Sequence, residues 1–114
     1  MFLHSVFDGR ALYATAKVGP FGYLDATGAV AIEPAFAPPP SASVAPDMQF
    51  SEGLAAARRA SDPDAGWGYI DTAGTWVIEP QFTRGGRFQD GVAKVQKDGA
   101  WRWIDILGKP LSIR

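Results

Sequence analysis

The sequence has no cysteine, one histidine and no long apolar run. The first absence removes disulfides, thiolate nucleophiles and cysteine-based zinc sites together. A lone His4 near the N-terminus builds neither a multi-histidine metal site nor a Ser-His-Asp triad, and is read as inert. No stretch approaches the roughly 20 apolar residues of a membrane-spanning helix. The first eight residues lack the basic start and unbroken apolar core of a signal peptide. A soluble, cytoplasmic protein with no membrane partner is the expectation. One sign of charge does not dominate either: 11 Lys and Arg stand against 12 Asp and Glu, net −1. That balance lacks the basic field of a nucleic-acid-binding module, so no nucleic-acid partner is expected. The P-loop, the nucleotide-binding glycine motif, the nucleophile elbow and the zincin helix are all missing. Neither a cofactor nor an enzymatic activity is expected.

What is present is glycine, proline and aromatics: 13 Gly, 9 Pro, 7 Phe, 3 Tyr and 4 Trp in 114 residues. That mixture fits many short strands joined by tight turns in one domain. Laid over itself, the chain repeats. Phe21-Gly-Tyr-Leu-Asp25, a turn glycine and Val30-Ala-Ile-Glu-Pro-Ala-Phe36 align without a gap on Trp67-Gly-Tyr-Ile-Asp71, a turn glycine and Trp76-Val-Ile-Glu-Pro-Gln-Phe82; Trp101-Arg-Trp-Ile-Asp105 opens a third copy. A second block recurs as Phe50-Ser-Glu-Gly-Leu-Ala-Ala-Ala57 and Phe88-Gln-Asp-Gly-Val-Ala-Lys-Val95. The copies start at 21, 67 and 101, so the periods are 46 and 34. The 12-residue difference falls in two loops, residues 37–49 and 58–66, both of loop composition.

Each block reads as a strand. Period-2 alternation puts Trp67 and Tyr69 on one face of a first strand (slot A). It puts Trp76, Ile78, Pro80 and Phe82 on one face of a second (slot B), with Val77, Glu79 and Gln81 on the other. Asp71 to Gly74 suits a hairpin turn, and Asp25 to Gly28 and Asp105 to Gly108 repeat it. The Gly-Val-Ala-Lys-Val block supplies a third strand (slot C), so a repeat is a meander A-B-C. The expected class is therefore an all-β repeat protein of about nine short strands. It is laid out as a partial unit 6–14, units 21–57 and 67–97, and a partial unit 101–113.

At these residues the chain resembles the WG-repeat family, the bacterial β-repeats also called KWG repeats. Copy two is the best match. Copy one carries Phe21 in place of Trp, copy three carries Arg102 in place of Gly, and Ser112 stands in the slot of Ile32 and Ile78. The resemblance implies an interaction scaffold and brings no catalytic residues with it. Because Val6 to Tyr13 fits slot C and copy three supplies only A and B, the order becomes C, A-B-C, A-B-C, A-B. Two arrangements follow: a sheet closed by pairing the first C strand with the last B strand, which hides both edges, or a fragment of an open β-spiral.

Among candidate chemical groups, Asp25, Asp71 and Asp105 recur and are read as turn caps rather than as a metal or acid–base set. Glu33 and Glu79 precede Pro and are read as solvated. Trp67 and Trp101 share the slot of Phe21 and are read as core. Trp76 is used once, against Val30 and Pro110, and is the better binding candidate. Residues 58–114 carry nine Lys and Arg against seven Asp and Glu, whereas residues 1–57 carry two against five. The insertion 37–49, with Pro38, Pro39 and Pro40, is the expected contact loop, with Arg58 and Arg59 on its rim. The role expected is that of a non-catalytic protein–protein interaction module, an adaptor or a neutralising partner of another bacterial protein. The alternative is binding of a carbohydrate or cell-wall polymer through exposed aromatics.

Overall fold

The computed structural model describes residues 2–7, 9–14, 20–37 and 48–111. It is all-β apart from short 3-10 turns such as Pro63–Ala65. The ten strands in chain order are β1 (Phe2–Phe7), β2 (Arg10–Ala14), β3 (Phe21–Asp25), β4 (Val30–Phe36), β5 (Ala55–Ala57), β6 (Trp67–Ile70), β7 (Trp76–Phe82), β8 (Arg84–Gly85), β9 (Val92–Lys97) and β10 (Ala100–Asp105). They form three antiparallel sheets in the orders β1-β2-β3-β4, β5-β6-β7 and β10-β9-β8. Among the described residues no helix is long and apolar enough to cross a membrane.

The building unit differs in phase from the expected meander. Strand C pairs with the A strand of the following copy, as β2 with β3, β5 with β6 and β9 with β10. The first two sheets thus contain C-A-B, the third contains C-A with β8 on the outer edge of C, and B passes to the next C through short contacts. Ala37 N–H donates to the Arg58 carbonyl, and Thr83 N–H donates to the Gln96 carbonyl. The closed arrangement is not formed among the described residues. β1 occupies the outer edge of β2, the edge that closure required, so the sheets follow one another as an open β-spiral.

Strand A is buried on both faces in the first two copies, with every residue from Trp67 to Ile70 inside. The WG glycine is the reason. From Trp67↔Phe82 to Tyr69↔Ile78, β6 advances two residues while β7 advances four, so β7 bulges outward around Glu79 and Pro80. The bulge crosses directly over Gly68. A Cβ there would lie 2.3 Å from the Ile78 carbonyl oxygen, 2.7 Å from Pro80 N and 2.8 Å from Glu79 C. Gly22 is crossed in the same way, at 2.4 Å from the Ile32 carbonyl oxygen and 2.7 Å from Pro34 N. Proline suits this crossing because a bulge residue has no ladder bond to give.

Under the crossing lies a repeated aromatic stack. Tyr69 meets Phe88 at 4.9 Å and Phe82 at 6.4 Å, both edge-on, and its hydroxyl donates to the Gly86 carbonyl at 2.6 Å. Tyr23 does the same with Phe50 at 4.9 Å, Phe36 at 6.2 Å and the Met48 carbonyl. Such edge-to-face pairs add about 0.5–1.5 kcal/mol each beyond their burial. The stacks belong to one core that runs from Leu12 to Ile104 through all three sheets. Burial raises the Tyr23 hydroxyl pKa far above its usual range, so this donor keeps its proton.

Copies are spaced by contacts that also repeat. The turn glycines of copies two and three seat on the B-strand isoleucine of the copy before: a Cβ on Gly74 would lie 3.0 Å from Ile32, and one on Gly108 3.2 Å from Ile78. The Glu52 carboxylate accepts from the amides of Asp90 and Gly91, and Ser51 donates to the Phe88 carbonyl. Gly68→Ala is expected to cost on the order of 2–4 kcal/mol, because backbone has to give way. Urea unfolding checks this, and an unchanged midpoint would show that β7 does not cross Gly68.

Candidate functional site

The recurring aspartates are turn caps. One carboxylate oxygen of Asp71 accepts from the amides of Ala73 and Thr75 at 2.9 and 3.0 Å. Asp105 holds Leu107 and Lys109, and Asp25 holds Thr27 and Ala29. The turn glycines take φ of 88°, 86° and 84° at Gly28, Gly74 and Gly108, which is why glycine recurs there. The Thr27 hydroxyl and amide, with Ala29 and nearby Arg10, hold the Asp25 carboxyl below the usual aspartate range. These groups are committed to the turns.

Of the residues singled out as binding candidates, the structure brings Trp76 and Arg59 together. The Arg59 guanidinium lies 4.7 Å above the Trp76 ring and is held by Glu79 at 2.9 Å. The other side of the indole meets Phe36 of copy one, edge-on at 5.9 Å. Trp76 is therefore half-buried and bridges two sheets, a job that its counterpart Val30 lacks, being 48% exposed with no copy before it. Glu79 is exposed, as expected, but is ion-paired rather than merely solvated. Arg58 points away from this cluster, as adjacent extended residues do. Its guanidinium lies 4.9 Å from the Trp67 ring, beside Asp64 and Thr83. Pro38, Pro39 and Pro40 lie outside the described residues.

The third copy departs from the expectation that its first Trp is core. Trp67 is 3% exposed, whereas Trp101 is 53% and Trp103 is 39% exposed. Arg102 stands where Gly22 and Gly68 stand. Among the described residues β10 is the edge strand of its sheet. Beyond its turn, among the described residues, an isolated Ile104↔Pro110 bridge and a bond from Leu111 N–H to the Trp103 carbonyl continue on that side. Ile106 and Leu107 of the same turn are 49% and 67% exposed. Sequence reasoning passed over this surface because slot equivalence assigned Trp101 to the core and gave Trp103 no separate role.

The fold and this surface define a β-repeat scaffold with exposed aromatics on β10. The family model of the WG containing repeat matches residues 67–101, one full period from the second A-strand tryptophan to the third. No curated protein and no solved structure matches the chain.

The three tryptophan environments separate on mutation. Trp67→Ala is expected to cost about 3–5 kcal/mol, Trp76→Ala about 2 kcal/mol, and Trp101→Ala under about 1 kcal/mol. Thermal or urea unfolding of the three variants orders them, and a Trp101→Ala loss equal to that of Trp67→Ala would place Trp101 in the core after all.

Proposed function

We propose that this β-repeat module is a non-catalytic protein-binding domain, an adaptor or a neutralising partner, that captures another polypeptide along the free edge of β10. The observation that supports this reading is the coincidence of an open edge strand with exposed Trp101, Trp103, Ile106 and Leu107. An open edge offers unpaired backbone donors and acceptors to an added strand, and alternate side chains set its specificity. Exposed tryptophans flanking such an edge are the type of group that carries most of the energy in protein interfaces.

The carbohydrate reading has one observation in its favour. Trp101 and Trp103 are two residues apart on a strand, so their side chains project to one face about 6.6 Å apart. Against it, the Lys94 ammonium lies 5.2 Å over the Trp101 ring and occupies a face that a sugar would stack on.

The Trp101→Ala/Trp103→Ala double variant is expected to keep the unfolding midpoint of the parent and to lose at least tenfold in affinity for a polypeptide captured by the parent from its native host, measured by calorimetry. Undiminished affinity in the folded variant would remove the β10 edge as the site. Saturable binding of a soluble polysaccharide, lost in the same variant, would replace this reading with the carbohydrate one.

A further inference from the structure

One cross-strand pair recurs in every sheet and changes character in the last. Leu12 stands opposite Tyr23, Ala56 opposite Tyr69 and Lys94 opposite Trp103. The first four of these residues are buried, whereas Lys94 and Trp103 are exposed. The chain thus puts a cation and a larger aromatic where the other copies put core. Directly opposed residues of an antiparallel pair share a face of the sheet, so the register extends this one. Trp101 stands opposite Gln96, and Gln96 opposite Arg84. Ala93, Val95 and Ile104, which alternate with them along β9 and β10, are buried on the other side. The outer face of β8, β9 and β10 therefore carries Trp101 and Trp103 together with Lys94 and Arg84. Both cations are exposed, and among the described residues neither meets a carboxylate. Asp105, opposite Val92 at the end of the face, is already committed to the amides of Leu107 and Lys109.

Resting on the protein-binding reading above, we infer that this face takes an acidic polypeptide segment, whose carboxylates meet Lys94 and Arg84 while its apolar atoms cover Trp101 and Trp103. Charge complementarity selects the occupant. Two cations set beside aromatic rings make charge-assisted contacts with an anion and oppose a basic segment. A strand added along β10 puts every second side chain on this face, so the acidic residues come at alternate positions. Single-stranded nucleic acid also brings anions, but it binds by stacking bases on open rings. The Lys94 ammonium, 5.2 Å over the Trp101 ring, already occupies one of those faces.

The test is an amide-resolved NMR titration of the whole domain with N-acetyl-Glu-Thr-Glu-Thr-Glu-Thr-amide and with its glutamine counterpart. Saturable shifts at Lys94, Gln96 and the indoles of Trp101 and Trp103 are expected, with the glutamine peptide at least about fivefold weaker. Lys94→Gln/Arg84→Gln should erase that preference, and Arg87→Gln, which removes a cation outside these strands, should keep it. If the double variant fails to fold, added salt replaces it and should erase the same preference in the parent. Absent or non-saturable shifts, a glutamine peptide bound equally well, or a preference kept in Lys94→Gln/Arg84→Gln or lost in Arg87→Gln would each overturn the acidic partner. So would tighter binding of a short oligothymidylate at the same residues, which would assign the face to single-stranded nucleic acid. Failure of the peptide arms leaves the protein-binding reading standing, because its own test is loss of polypeptide affinity in the Trp101→Ala/Trp103→Ala variant.

Discussion

A missing Cβ organises this structure. At Gly22 and Gly68 the backbone of strand B comes closer than any side chain would tolerate, within 2.4 and 2.3 Å of where a Cβ would stand. That approach turns strand A into a strand buried on both faces and folds strand B around it. It brings Phe36 or Phe82 onto the repeat tyrosine, which then meets the phenylalanine of the next block and donates to a carbonyl two residues before that phenylalanine. The Glu-Pro dipeptide at the bulge is the other half of the device, since its proline has no amide to leave unpaired. In copy three Arg102 stands at the glycine position, and Trp101 and Trp103 beside it are 53% and 39% exposed.

Much of this was readable from residues. The gapless alignment of copies one and two predicted strands, turns and insertions, and the burial alternation along β7 follows the expected face, with Ile78 and Phe82 inside and Val77, Glu79 and Gln81 outside. The aspartate turns were equally visible, because one side chain satisfying two amides within four residues is a local event. Two features were not. The Asp98-Gly99 turn signal joins strand C to the next A strand, as β9 and β10 pair, but how little strand B pairs with the following C is not carried by periodicity along a strand. The open arrangement depends on β1 taking the outer edge of β2.

The site was partly legible for the same reason. Uniqueness in the repeat marked Trp76, and the structure explains its uniqueness by a contact between copies: it fills the step from Phe36 to the second sheet beneath Arg59. Slot equivalence failed for Trp101, because burial of a slot comes from the strands packed on it and not from the residue in it. Substitutions within a repeat therefore carry functional information in two ways, as a new group added at a position or as a neighbour no longer covered.

The central claim is that strand B crosses and seals β6 and leaves the equivalent edge of β10 open. Residue-resolved hydrogen exchange compares the two directly. The amide of Trp67 faces β7, and the amide of Trp101, equivalent in the repeat, faces the open edge. Slow exchange at Trp67 beside exchange at least a hundredfold faster at Trp101 is the expected result, about the difference made by roughly 3 kcal/mol of local opening energy. Equal protection at the two amides would contradict the claim.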